Sequence, residues 1–109
     1  MIEAIVGSEG AERVLLFLAA REQAYAREIA VAWDMDVSTA QNQLKRMERD
    51  GLLVSKTIGR TRVFQFNPRY AFKEEVQALL KKALQRLPPN LRDELILRRT
   101  RPRRTGKPL

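Results

Sequence analysis

Cysteine and histidine are both missing from this 109-residue chain. Without cysteine there is no disulfide framework, a composition that fits a cytoplasmic protein. Without either residue there is no soft ligand set for zinc or a similar metal, no cysteine nucleophile and no imidazole-dependent triad. Nothing approaches the roughly 18 consecutive apolar residues of a membrane-spanning helix. The opening MIEAIVGSEG lacks the basic head and long apolar stretch of a secretory signal. No Gly-rich phosphate loop is present. Glu74 and Glu75 are adjacent, so on a helix they splay about 100° apart, poor geometry for a paired acid and base. The expectation is a binding protein that is not an enzyme, with no cofactor, no metal and no membrane segment.

What is present fits one domain, since domains usually run to about 100–150 residues. Apolar residues make up 44% of the chain, enough for a single core. The formal net charge is +8, and it is unevenly placed. Residues 86–109 carry eight Lys and Arg against Asp93 and Glu94, a surplus of six, whereas residues 1–85 carry thirteen against eleven acids. A nearly balanced domain followed by a basic tail points to a polyanion such as nucleic acid.

Along the chain, SEGAERVLLFLAAREQ places Ala11, Val14, Leu15, Leu18 and Ala19 on one apolar helix face. Ser8 is its expected N-cap, with Gly10 weakening the first turn. The preceding MIEAIV reads equally as a short helix or an extended arm. AYAREIAVAW repeats the pattern through Ala26, Ile29, Ala30 and Trp33, and DMD interrupts it. Asp36 then reads as an N-cap whose carboxylate accepts from the next helix's free amides. That helix, 37–50, buries Ala40, Leu44 and Met47 and ends at Gly51. Beyond it the period changes to that of strands: LLVSKTI and TRVFQF flank a GR turn, a hairpin spanning 52–66. Alternation sets Phe64 and Phe66 on one face and Val63 and Gln65 on the other. Trp33, Phe64 and Phe66 are therefore core rather than a platform for stacking bases.

Asn67-Pro68 ends the second strand and opens a helix over 70–87, with an apolar stripe of Phe72, Val76, Leu79, Leu80, Ala83 and Leu87. A long helix at the end of a small domain commonly packs on its twin, so this stripe is the expected homodimer interface. Pro88-Pro89 stops it. NLRDELIL gives a short amphipathic helix capped by Asn90, and RRTRPRRTGKPL has no apolar face and reads as disordered unless bound. The division is thus a domain at 1–87 and a short helix plus basic tail at 88–109.

One surface stands out. Helix 37–50 carries Ser38, Thr39, Gln41, Asn42, Lys45, Arg46 and Arg49 on a polar edge with no acid among them. The turn before it is only about three residues, which forces a steep crossing and lifts the helix clear of the domain. The hairpin tip beside it offers Arg60 and Arg62. A proud polar helix flanked by a basic hairpin suits a duplex, whose major groove is about 12 Å wide.

The stretch AREIAVAWDMDVSTAQNQLKRMERDGLL, followed by GRTRVFQFNPRY, resembles a winged helix-turn-helix transcriptional regulator of the broad ArsR-like group. LKRMERDGLL is similar to the phrase that closes the recognition helix and leads into the wing. The resemblance spans residues 8–84. It implies an α+β, mainly helical fold: a three-helix core, a β-hairpin wing and a C-terminal helix for dimerisation. It implies double-stranded DNA as partner, with Ser38, Thr39, Gln41, Asn42 and Lys45 facing the bases. Gln and Asn pair bidentately with adenine, and Lys reaches guanine or phosphate. Arg46 and Arg49 lie further round, toward phosphate. Arg60 and Arg62 become wing contacts, and Tyr25 and Arg27, opening the second helix, anchor a backbone phosphate. Asp34 stands where the turn often has Gly, and the Cys and His ligands of metal-sensing members are absent. The alternative is a protein-interaction winged helix with a nucleic-acid-binding tail; such faces usually lose basic residues, and Lys45, Arg46 and Arg49 argue against it.

Overall fold

The computed structural model describes residues 1–100, with side chains as far as Leu95. Most of the basic stretch expected to be disordered, 101–109, lies outside the described residues. In chain order the elements are α1 (Glu3–Val6), α2 (Glu9–Arg21), β1 (Gln23–Ala24), α3 (Ala26–Trp33), α4 (Val37–Arg49), β2 (Leu53–Ile58), β3 (Thr61–Phe66), α5 (Lys73–Gln85) and α6 (Pro89–Thr100). This is a mainly helical α+β winged helix.

α2 is the hub. Its periodicity suggested a single apolar face, yet five consecutive residues, Val14 to Leu18, are buried. The extra burial has a simple cause: α1, α3, α4, α5 and α6 all pack on this one helix, and a helix enclosed on every side is apolar all round. Burying one Leu or Phe side chain contributes roughly 1.5–3 kcal/mol, so this run anchors the domain. Ser8 caps α2 as expected, its Oγ accepting from the Ala11 amide at 3.1 Å. Gly10, which looked like a weak point, leaves room for α4: a Cβ there would sit 3.2 Å from Thr39 Cγ2. MIEAIV resolves as the single turn α1. The one buried charged side chain among the described residues, Glu12, holds this segment by accepting from the Ile2 amide and lying 3.0 Å from the Met1 amino group.

α3 and α4 form the helix-turn-helix, joined by residues 34–36. Asp34 adopts the left-handed conformation (φ 54°, ψ 53°) that glycine takes most easily,. The Met35 amide donates to the Ala30 carbonyl at 2.9 Å and the Asp34 amide to Val31 at 3.4 Å, the paired bonds of a Schellman end. α4 closes in the same way at Gly51 (φ 89°), with Leu52 donating to Met47 and Gly51 to Glu48, both at 3.0 Å. Asp36 occupies the N-cap position with extended backbone, but its side chain makes no capping bond.

The wing is the expected hairpin, in register from Leu53↔Phe66 to Ile58↔Thr61. Gly59 has φ 64° and Arg60 has no positive φ, as a two-residue turn with glycine first requires. Phe64 and Phe66 are buried, and so is Val63 on the opposite face. A third strand, β1, pairs Gln23 with Gln65 and Ala24 with Phe64, giving the order β1-β3-β2. Two residues are too few to show alternation, so β1 leaves no periodic signal.

The helix expected over 70–87 begins at Lys73 and ends at Gln85. Asn67 delays its start. The Asn67 Nδ2 donates to the Gly51 carbonyl, and its Oδ1 accepts from the Arg69 amide, each at 2.9 Å. These bonds stabilise turns through residue 72 in place of a first helical turn. α6 starts at Pro89, so Asn90 lies within its first turn and is not its cap. It also runs to Thr100, taking in residues 98–100 that composition had assigned to the tail. Leu95 is buried, and Arg21 Nε donates to its carbonyl at 2.8 Å.

Candidate nucleic-acid interface

The second helix-turn-helix element owes its position to three buried side chains. Ala40, Leu44 and Met47 seat α4 in the core, which turns Ser38, Thr39, Gln41, Asn42, Lys45 and Arg49 to solvent. None of these six side chains makes a hydrogen bond or ion pair to another described residue. Thr39 has a second duty, because its methyl group lies where a side chain at residue 10 would have to fit, 3.2 Å from the place of a Cβ. Arg46 is only half-exposed. Its Nε and Nη2 donate to Gln43 Oε1 at 3.1 and 2.8 Å, and Asp50 Oδ2 lies 4.0 Å from Nη1, so this guanidinium folds back along its own helix.

Beside α4, a groove of about 380 Å³ is lined by Tyr25, Ala26 and Arg27 from the start of α3, Gln41 and Lys45 from α4, and Arg60, Thr61, Arg62 and Phe64 from β3 and its turn. Six residues singled out separately in the sequence thus share one concavity. Tyr25 and Arg27 are placed there by a tight start to α3: Glu28 Oε1 accepts from the Tyr25 amide at 3.4 Å, and its Oε2 lies 3.3 Å from Arg21 Nη1. Arg21 in turn lies over the Phe17 ring at 4.4 Å. The Arg27 and Arg60 guanidiniums are exposed, with no hydrogen-bonding or ionic partner among the described residues. Phe64 forms the floor, which agrees with its reading as core. Trp33 is half-buried beneath Arg13, whose guanidinium lies 5.7 Å from the ring centroid.

Arg62 is different. Its Nη2 lies 3.2 Å from Glu48 Oε1, and its Nε donates to Ser55 Oγ at 2.9 Å. The Ser55 hydroxyl in turn donates to Glu48 Oε2. Glu48 is the residue the sequence reading passed over. It stands on α4, off the exposed ridge, and the three-residue spacing to Gly51 gave no hint that a wing arginine would come to it.

The stripe read as a dimer interface divides. Leu80, Ala83 and Leu87 are buried within the chain, Val76 and Leu79 are half-buried, and Phe72 is 60% exposed. The Tyr70 ring meets Phe72 edge-on at 5.8 Å.

A MarR family model matches residues 13–62, from the hub helix to the outgoing strand of the wing. Among solved structures, the AntR antimony-specific transcriptional repressor matches with a TM-score of 0.61 and 19% identity, covering 77% of this chain and 71% of that one. The adhesin competence repressor AdcR from Streptococcus pyogenes matches with a TM-score of 0.54 and 9% identity, covering 86% and 78%. The likeness shows the fold, a winged helix such as these repressors have. No curated protein matches the sequence. The MarR family and these repressors are non-enzymatic regulators. The family matched is MarR, where the sequence resembled the ArsR-like group. Among the described residues no helix is long and apolar enough to cross a membrane.

Proposed function

We propose that this chain is a sequence-specific, double-stranded-DNA-binding transcriptional regulator, with helix 37–50 in the major groove and wing 52–66 on the backbone. The reading rests above all on the groove that gathers Tyr25, Arg27, Gln41, Lys45, Arg60 and Arg62 beside an exposed recognition helix. Gln41, Asn42 and Lys45 read base edges, with Ser38 and Thr39 near the helix start. Arg46, Arg49, Arg60 and Arg62 set register on phosphates, joined by Tyr25 and Arg27. The MarR match and the likeness of LKRMERDGLL to the ArsR-like recognition phrase both support a regulator. The antimony specificity in AntR's name is not carried over, since this chain has no cysteine or histidine.

The active species is a cytoplasmic homodimer. Phe72, Val76 and Leu79 supply its contact surface, and Leu80, Ala83 and Leu87 hold α5 rigidly against α2 from behind. Two recognition helices would then meet half-sites one helical turn, about 34–36 Å, apart. Residues 1–87 form the winged-helix unit, and 88–109 add a short helix and a basic tail. Selection of binding sites from random duplex DNA tests the proposal. A two-fold-symmetric site should be enriched; absence of enrichment, with no duplex retained at low ionic strength, refutes it and favours a protein-docking winged helix.

A further inference from the structure

An acidic side chain beside a polyanion-binding face normally weakens binding, because like charges repel. Glu48 stands in that position, on the helix that carries the proposed base-reading residues. Yet its carboxylate is 27% exposed and fully engaged, with Ser55 Oγ donating to Oε2 and Arg62 Nη2 within 3.2 Å of Oε1 and 3.4 Å of Oε2. Arg62 Nε donates to the same Ser55 oxygen at 2.9 Å. A closed ring of three side chains therefore joins α4 to β2 and β3. The base of the hairpin is seated, with β1 paired to β3 and with Leu53, Phe64 and Phe66 buried, whereas residues 56–62 are exposed, which leaves the outer part of the hairpin free to tilt about that base. In the ring, Glu48 fixes that tilt. Arg62 remains 59% exposed, with its Cζ 5.9 Å from the Phe64 ring, so its outer face is aimed at the groove while its inner face is held.

We infer that Glu48 is a positioning residue for DNA recognition, setting the angle between wing and recognition helix through Ser55 and Arg62. The inference rests on the DNA-binding reading above. It makes a claim that simple charge counting reverses. Removing an acid should tighten DNA binding if only the net field matters. Removing Glu48 instead weakens binding, because a loosened wing must be ordered again on the duplex.

The test is a double-mutant cycle on the full chain, with affinity for the selected duplex and for random duplex measured by fluorescence anisotropy. In the wild-type background Glu48→Ala lowers specific affinity about three- to tenfold and lowers random-duplex affinity less, within the range seen for coupled neighbours. In the Arg62→Ala background there is nothing left to position, so Glu48→Ala raises affinity about twofold through lost repulsion. Glu48→Gln keeps an acceptor for Ser55 and Arg62 and so holds specific affinity within about twofold of wild type. Thermal melting reports whether each variant is folded at the assay temperature; if Glu48→Ala is not, Glu48→Gln against Glu48→Lys gives the same comparison, with Lys expected to weaken specific binding despite its added positive charge. Tighter binding by Glu48→Ala in both backgrounds, or by Glu48→Lys, overturns the positioning role and leaves the DNA-binding reading intact. A wild-type chain that binds no duplex at low salt overturns the DNA-binding reading itself, and the positioning role with it.

Discussion

Arg60→Ala gives the sharpest view of how the proposed interface divides its labour. Arg60 sits at the tip of the hairpin, exposed, with no hydrogen bond or ion pair to a described residue, at the rim of the groove shared with Lys45 and Arg27. Its removal costs the fold nothing visible, because Gly59 rather than Arg60 supplies the turn's positive φ. On DNA it removes one phosphate contact. Each such contact contributes about −0.9 to the slope of log affinity against log salt, so the slope should flatten by about one unit. Over a fourfold rise in salt, that is about 3.5-fold less loss of affinity than wild type suffers. The assay is anisotropy on the selected duplex and on scrambled duplexes at several salt concentrations. The mutant should bind all of them more weakly by a similar factor. A loss confined to one sequence would make Arg60 a base reader, and an unchanged slope would place the wing tip away from the backbone; either refutes the reasoning.

Replacing Gln41 and Asn42 together with Ala should do the opposite: each lost bidentate base contact is worth about 1–3 kcal/mol of discrimination, so selected and scrambled duplexes converge while the salt slope stays put. Asp34→Gly should stabilise the protein by about 0.5–1 kcal/mol, since Asp34 holds a left-handed conformation that is strained for every residue with a Cβ,; the melting temperature should rise by roughly 2–8 °C, and a fall would mean the Asp34 side chain contributes something the turn geometry does not reveal. Phe72→Ser should leave melting of the monomer nearly unchanged, because the ring is 60% exposed, yet shift the monomer–dimer equilibrium toward monomer in sedimentation equilibrium; an unmoved equilibrium would take the dimer surface away from the start of α5.

The turn chemistry and helical periods of the middle of the chain were legible because each signal is local. Gly51, the GR turn and the four-three spacing of Ala40, Leu44 and Met47 act through their own backbone or their own helix face, and all three lie where the sequence put them. What stayed hidden depends on residues distant in sequence. Leu16 and Phe17 looked like the outer side of an amphipathic helix because nothing near them says that α5 and α6 return to pack on α2. Asn67 looked like a helix opener because its bond to Gly51 spans sixteen residues. The same holds in the site. The exposed ridge could be written down from spacing alone, whereas the Glu48–Ser55–Arg62 ring could not, since the wing must fold back on α4 before those three groups meet.

That ring belongs to a broader sorting of the positive charge. The chain is basic overall, but several of its arginines are engaged by other groups of the fold. Arg13 is held by Glu9 at 3.3 Å and lies over Trp33, Arg21 bridges α2 to Glu28 and to Leu95, Arg46 turns to Gln43, and Arg62 to Glu48. Arg27, Lys45, Arg49 and Arg60 remain on the proposed face, exposed and without ionic partners among the described residues. The number of free cations, rather than the net charge, should therefore set the electrostatic part of binding. A chain ending at residue 100 keeps α6 and the buried Leu95, which a cut after Leu87 would remove along with the bond from Arg21. Arg27, Arg49 and Arg60, the free cations assigned to phosphates, predict a salt slope of about −2.7 for each half-site, and residues 101–109 should add to it without changing sequence preference. A slope near −1 for the shortened chain would mean that the folded face does not meet the backbone and that the tail alone carries affinity for polyanions.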